Sequence, residues 1–145
     1  MVALQVGGMR RVRSIVDGAN QYKHAQRSDW ATDVDGAAAE LAVAKYLNVY
    51  WRPGVNTYKA PDVGVLQVRS TMHPTGHLIV RPNDADTDTF IFVVCAPPRY
   101  LLVGAYLGAE AKVDEFFHTS HDEADCWWVP QARLRDLPRP RPFGD

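Results

Sequence analysis

The sequence has no excess of charge of either sign, no long apolar run and few cysteines. In 145 residues, 16 Lys and Arg stand against 17 Asp and Glu, which gives a net charge of −1 at pH 7. Because phosphate contact needs only a local basic face, this balance does not exclude nucleic acid as a partner. The apolar share of 46% is normal for a globular domain and argues against disordered, coiled-coil and collagen-like chains.

Several targeting and binding signals are also absent. No apolar stretch approaches the roughly 20 residues that a membrane span needs, and the first charges follow a short apolar segment, the reverse of a secretory signal. Cys95 and Cys126 lie far apart without metal-ligand spacing, so we expect buried, reduced thiols. No glycine-rich phosphate loop occurs. These features predict a cytoplasmic protein.

The length suits one domain, over residues 1–136, followed by an extended Pro- and Arg-rich tail at 137–145. Helical spacing predicts a helix near 9–26 and a stronger one over 35–48, with Asp33 or Asp35 as its N-cap. Short β-branched segments separated by turn residues predict antiparallel strands at 63–70, 77–81, 89–95, 100–106 and 126–129, with a short helix near 109–117. The connections at 75–76, 82–84 and 96–99 are short enough for hairpins between successive strands. The pattern predicts an α+β (mixed α/β) domain with a central, mostly antiparallel sheet flanked by helices.

Glu40 is a carboxylate inside an almost wholly apolar predicted helix. The residues that would share its face are all small or apolar: Gly36, Ala37, Val43 and Ala44. A carboxylate in such surroundings is costly unless it finds hydrogen bonds, a cation or a metal, or takes up a proton. Two interpretations remain open: a structural ion pair with Arg69 or Arg81, or a functional carboxylate that binds metal.

A second polar group surrounds a predicted strand. Strand alternation puts Gln67 and Arg69 on one face and Val68 on the other. Asp62 is out of phase with Gln67, so a bulge or tight turn must join them, and Gly64 is the residue that can supply it. The alternative interpretation is a polar edge strand with one face in solvent.

Together these segments resemble the active-site skeleton of the PD-(D/E)xK, or restriction-endonuclease-like, nuclease superfamily. The segments that carry the resemblance are Gly-Ala-Ala-Ala-Glu at 36–40, Pro-Asp at 61–62 and Gln-Val-Arg at 67–69. A wider similarity to small uncharacterised phage proteins runs through Trp51 and residues 56–58, 77–81, 111–112 and 128–131. It spans most of residues 33–131.

The resemblance implies a restriction-endonuclease-like fold and a nuclease, active or degenerate, that hydrolyses DNA phosphodiester bonds with Mg²⁺ or Mn²⁺. Glu40 would stand at the helix acid and Asp62 at the strand acid that binds metal. Gln67 would stand at the second strand acid and Arg69 at the lysine, with the Val68 carbonyl as a further metal ligand. Gln67 and Arg69 depart from the family pattern. Gln67 keeps a ligating oxygen without its charge, and Arg69 keeps a charge for phosphate but cannot act as a base.

These departures leave a second function open: a non-catalytic module that keeps the nuclease fold and binds nucleic acid or a protein. The expected partner is DNA, with RNA as an alternative and no membrane, in a bacterial or phage-infected cytoplasm. Cutting both strands of a duplex would call for a homodimer or two binding events. The candidate nucleic-acid contacts are basic or histidine side chains: Arg10, Arg11, Arg13, His77 and Arg81.

Three other patterns have simpler interpretations. The acidic run at 84–88 resembles the start of a calcium loop but lacks its turn glycine and bidentate glutamate, so a solvated hairpin loop is expected. Residues 118–126 contain zinc-ligand types without a usual spacing, so a polar surface loop is expected. Trp127 and Trp128 are expected in the core rather than as stacking surfaces.

Overall fold

The computed structural model describes residues 29–51, 61–119, 121 and 124–142. The predicted helix near 9–26, with Arg10, Arg11 and Arg13, lies outside the described residues. The elements are, in chain order, α1 (Asp29–Leu47), β1 (Leu66–Thr71), β2 (Leu78–Val80), β3 (Thr89–Ala96), β4 (Arg99–Leu107), α2 (Gly108–Ala111), a 3-10 turn (Asp114–Phe116), β5 (Phe117–His118), β6 (Cys126–Val129) and a second 3-10 turn (Gln131–Arg133). This order confirms a mixed α+β chain.

Helix α1 begins at Asp29, six residues before its predicted start, so the prediction that Asp33 or Asp35 caps it was wrong. Both residues lie inside the helix. An N-cap flanks the first helical residue, so neither aspartate can cap a helix that begins at Asp29.

The other end of α1 is closed by a Schellman motif. Asn48 adopts a left-handed conformation, with φ of 55°. The amide of Val49 donates to the Ala44 carbonyl over 3.1 Å, and the amide of Asn48 donates to the Lys45 carbonyl over 3.3 Å. These two bonds satisfy carbonyls that the end of a helix otherwise leaves without partners.

Asn48→Ala should lower the free energy of unfolding by about 1–2 kcal/mol, because alanine adopts the left-handed conformation at a steric cost. It also loses the bond from Asn48 Nδ2 to the Arg141 carbonyl, 3.3 Å long. Asn48→Gly should cost much less, since glycine takes positive φ freely. Urea unfolding measures both. An equal loss in the two variants would show that the side-chain bond matters and the backbone conformation does not.

The described strands form two three-stranded sheets, where the sequence predicted one central sheet. Sheet A has the order β1-β3-β4, and sheet B has the order β2-β6-β5. The predicted β3–β4 hairpin is confirmed, and a cis Pro97–Pro98 bond lies in its turn. β1 runs parallel to β3, while the other three pairings are antiparallel. The predicted hairpins through residues 75–76 and 82–84 are wrong, because β2 belongs to a different sheet from both β1 and β3.

Sheet A is the middle layer of the described structure. One face, with Ile91 and Val93, packs against α1 through Ala37, Val43 and Leu47. The opposite face, which carries Phe90, Phe92 and Val94, packs against Leu78, Val80 and Val129 of sheet B. The central strand β3 is therefore apolar on both sides, as its sequence Thr-Phe-Ile-Phe-Val-Val-Cys-Ala requires.

The chain that follows the second 3-10 turn, from Leu134 into the tail, is tied to both α1 and sheet A. Arg135 and Ala105 exchange two backbone hydrogen bonds of 2.9 Å at the edge of β4. Leu137 then packs against the cluster between α1 and sheet A. Further along, the amide of Arg141 donates to the Leu47 carbonyl over 3.0 Å. The segment fastens the end of α1 to the sheet.

The stability of this layer should depend on pH through Tyr100. Burial raises the pKa of the Tyr100 phenol above its usual 10.0, and neighbouring Asp35 and Cys95 add to this shift. The folded state therefore holds the phenol proton more tightly than the unfolded state. Below about pH 10 the group leaves the free energy of unfolding unchanged, and this free energy falls as the pH rises from there through the raised pKa. Tyr100→Phe should remove that part of the alkaline loss in urea unfolding; an unchanged profile would contradict it.

Candidate functional site

Glu40 lies buried on α1, with 5% of its surface exposed. Its Oε2 accepts a hydrogen bond from the indole Nε1 of Trp51, with 3.3 Å between the two atoms. Ala37, Val43 and Ala44, on the same helix face, belong to the cluster against sheet A. The indole hydrogen bond offsets part of the cost of burying the carboxylate there. Arg69, one of the two predicted ion-pair partners of Glu40, contacts another carboxylate instead.

Asp62 reaches β1 through a tight turn at Gly64, as the sequence predicted. Gly64 has a φ of 59°, and the chain reverses between Val63 and Leu66, whose backbones exchange hydrogen bonds of 3.1 and 2.8 Å. Asp62 consequently lies beside the strand, and its Oδ2 accepts the amide of Val68 over 2.7 Å. The turn therefore brings the first strand acid next to residues 67–69.

Gln67 and Arg69 lie on the opposite face of sheet A from α1. The parallel register pairs Gln67 with Phe90 and Arg69 with Phe92, and both phenylalanines face sheet B. The guanidinium of Arg69 lies 5.2 Å from the Phe90 ring centroid, which supports this placement. Val68 faces α1. Gln67 and Arg69 therefore lie on the face of sheet A opposite to the one on which α1, the helix of Glu40, packs.

Arg69 contacts the loop between β2 and β3. Its Nη2 lies 2.6 Å from Oδ1 of Asp84, which is 15% exposed. The other oxygen of Asp84 accepts the amide of Arg81 over 2.8 Å. Lys112 reaches the same loop, with Nζ 2.7 Å from Asp86 Oδ1 and a short hydrogen bond to the Asp84 carbonyl. We call this arrangement of Arg69, Lys112, Asp84 and Asp86 the loop clamp.

The loop that carries Asp84 and Asp86 corrects one prediction. Residues 85–87 are exposed, as a solvated loop requires, but the loop joins strands of two different sheets and is therefore not a hairpin. The amides of Gly108 and Ala109 also donate to the carbonyls of Asp88 and Asp86, over 2.8 and 2.9 Å. Within the part of the chain that the structure describes, no group of three or more His, Cys, Asp or Glu residues suits a metal ion.

A second polar surface lies on the outer face of sheet B. The His118 ring stacks on Trp128, with 3.8 Å between ring centroids and 21° between planes. The His77 ring also contacts the indole of Trp128, with 5.5 Å between ring centroids and 37° between planes. Trp127 packs against the cluster between the sheets. The prediction of a core position therefore describes Trp127 and not Trp128, since neighbouring strand residues point to opposite faces.

His77 and Arg81, predicted contacts for nucleic acid, are both exposed and lie at the two ends of β2. His118 and Trp128 were not among the predicted contacts. The signal that could have found Trp128 was the Trp-Trp pair itself, because strand alternation sends one of two adjacent residues outward. Contact between His118 and Trp128 depends on the β5–β6 pairing, which the sequence did not predict.

The sequence and the structure were compared with known proteins, and no relative was found. No helix among the described residues is long and apolar enough to cross a membrane. No family model, no curated protein and no solved structure matches this chain.

Proposed function

We propose that this chain binds nucleic acid without cutting it, as a non-catalytic relative of the metal-dependent nucleases that it resembles. One observation carries the proposal: Gln67 and Arg69 face sheet B, whereas the helix that holds Glu40 packs on the other face of sheet A. A divalent ion that catalyses phosphodiester hydrolysis must hold its oxygen ligands and the reacting phosphate at one point.

The contacts of the individual side chains support this proposal. Arg69, which would hold the scissile phosphate, forms a 2.6 Å ion pair with Asp84. Glu40 accepts the Trp51 indole N–H, and Asp62 accepts the Val68 amide. Each of these contacts gives its side chain a structural role. Of these contacts, only the ion pair of Arg69 would have to break for a role at the metal site, because a carboxylate that accepts one hydrogen bond keeps further lone pairs for an ion.

Nucleic acid is the proposed partner because of the family resemblance and of the local distribution of charge. His77 and Arg81 are exposed beside sheet B, and Arg139 and Arg141 are exposed on the tail. With a net charge of −1, attraction to phosphate has to come from such local groups, and it should weaken steeply with salt.

A second candidate function, a Mg²⁺- or Mn²⁺-dependent nuclease, is favoured by the position of Asp62. The turn at Gly64 brings its carboxylate beside residues 67–69, and its Oδ2 lies 2.7 Å from the Val68 amide nitrogen. In the superfamily arrangement that the sequence resembles, the first strand acid lies close to the residues that correspond to 67–69. For catalysis, however, Arg69 would have to leave Asp84, and Gln67 would have to reach the same ion as Glu40.

The experiment incubates labelled single-stranded, duplex and branched DNA with the protein in Mg²⁺ or Mn²⁺, and follows both binding and cutting. We expect binding in a gel-shift assay and no cleavage above a protein-free control. Glu40→Gln and Asp62→Asn should bind as the wild type does. These variants keep an acceptor oxygen for Trp51 and for the Val68 amide, so their folds should be preserved. Cleavage that both substitutions abolish would establish the nuclease instead, and absence of binding to any substrate would refute both functions.

A further inference from the structure

We propose that the outer face of sheet B is a binding site for unpaired bases of a single-stranded nucleic acid. The site consists of His77, Ile79, Trp128 and His118, and we call it the His–Trp face. The inference rests on the proposed function for the class of ligand. It adds the place of binding and the form of the nucleic acid.

Strand alternation and register bring these four side chains together. In β2, Leu78 and Val80 point into the core, so His77 and Ile79 point outward. In the antiparallel pairing, Ile79 is opposite Trp128. His118 is opposite Cys126, two residues from Trp128 on the same face. The face thus crosses all three strands of sheet B.

The rings are held in place before any ligand binds. Trp128 Nε1 lies 3.1 Å from the sulfur of Cys126, a contact that fixes the orientation of the indole. His118 stacks on the same indole at 3.8 Å. The turn before His77 is held by Gln131, whose Nε2 donates to the carbonyls of Pro74 and Gly76 over 2.9 and 3.0 Å. Fixed side chains lose little conformational entropy when a ligand binds, which favours affinity.

The chemistry of this face suits a nucleobase joined to phosphate. Flat aromatic rings bind bases by stacking whatever the sequence, because every base has a π-face. His77 is exposed and lies at one end of the row, while Trp128 and His118 are half-buried. Arg81 is exposed one residue beyond the other end of β2 and offers a cation to phosphate. Bases inside a duplex are already stacked on one another, so only an unpaired base can reach these rings.

A purely structural role would be the competing explanation for the same rings. The stack could serve only to hold β5, which is two residues long, against β6. His77 distinguishes the two explanations, because it is exposed and does not lie on β5. Its removal should leave the β5–β6 pairing intact and still weaken binding of a base.

The test measures fluorescence anisotropy of a labelled single strand of about 12 thymidines at roughly 50 mM salt. We expect the wild type to bind this strand more tightly than a duplex of equal length. His77→Ala should weaken binding roughly 5- to 100-fold, the loss that removing one stacking side chain entails. The control is Tyr50→Ala, which removes an aromatic side chain that is 83% exposed beyond α1. It should bind as the wild type does, and the melting temperatures of all variants should agree.

Three outcomes would overturn the inference, and they differ in what they leave standing. If His77→Ala binds the strand as tightly as the wild type, the His–Trp face is not the site, although nucleic-acid binding stands. Thymidine monophosphate and the unlabelled strand can each be used to displace the labelled strand. If both do so at the same concentration, counted per nucleotide, the ligand is a free nucleotide and not a strand. If the wild type binds neither single strand nor duplex, the proposed function falls together with the inference.

Discussion

Gly104→Val should lower the free energy of unfolding by about 3 kcal/mol and the melting temperature by roughly 10 °C. A Cβ atom on Gly104 would lie 2.7 Å from the Arg135 carbonyl oxygen and 2.8 Å from Cβ of Leu134. Arg135 is held there by its two backbone hydrogen bonds with Ala105. Because the nearest obstacle is backbone, no side-chain rotation relieves the overlap. Either the tail leaves the sheet or β4 moves.

Two controls separate this overlap from other costs of replacing glycine. At Gly64 an added Cβ meets no atom within 4 Å, but φ is 59°, so Gly64→Ala should cost only the conformational term of about 1–2 kcal/mol. In a chain that ends at Arg133, Gly104→Val should cost less than about 0.5 kcal/mol relative to that shortened parent, since the obstacle is gone. Urea unfolding of the wild type, the two full-length variants, the shortened parent and its Gly104→Val variant gives the comparison. A cost that is the same with and without the tail would mean that the tail does not pass over Gly104.

The spans of β3, β4 and β6 could be predicted from the sequence, and so could the pairing of β3 with β4, but the partner of β2 could not. Residues 89–96, 99–107 and 126–129 read as strands because β-branched and aromatic residues alternate between turn signals. A short turn such as residues 75–76 permits a hairpin without requiring one. β2 pairs with β6 because Leu78 and Val80 can then cover Phe90 and Phe92 together with Val129. That gain depends on residues about fifty positions away, which local patterns do not contain.

In the candidate site, too, the local features could be predicted from the sequence and the long-range contacts could not. The return of Asp62 to β1 depends on one glycine two residues away, and the sequence predicted it. The pairing of Arg69 with Asp84 crosses 15 residues, and that of Glu40 with Trp51 crosses 11. Local patterns could not assign these partners.

The side of sheet A that α1 covers was available in the sequence and was missed. Alternation sets Gln67 and Arg69 on one face of β1 and Leu66 and Val68 on the other. A helix with an apolar face packs on the apolar side of a strand, because that arrangement buries the larger apolar area. This reasoning places α1 over Leu66 and Val68, as observed. It also separates Glu40 from the polar pair that the family pattern would join to it.

Asp84→Ala should lower the free energy of unfolding by about 2 kcal/mol, because it removes the partner of Arg69 in the loop clamp. Breaking a fully buried ion pair costs about 3–5 kcal/mol, and the smaller figure allows for the 36% exposure of Arg69. Within the described structure, Arg69 Nε is already buried without a hydrogen-bond partner. Loss of the carboxylate also leaves the Arg81 amide without its 2.8 Å acceptor.

Asp86→Ala is the matched control, since Asp86 is a carboxylate of the same loop that pairs with Lys112 but is 67% exposed. It should cost less than about 1 kcal/mol, and Asp84→Asn, which keeps an acceptor oxygen, should fall between the two. Urea unfolding compares them, and DNA binding of the same proteins links the result to function. Asp84→Ala could lower the free energy of unfolding by no more than Asp86→Ala does. Asp84 would then be dispensable for holding the loop, and Arg69 would be available to a phosphate. That result would favour the nuclease over the non-catalytic module. The family pattern places at this position a cation that contacts the scissile phosphate, and Arg69 could then serve as that cation.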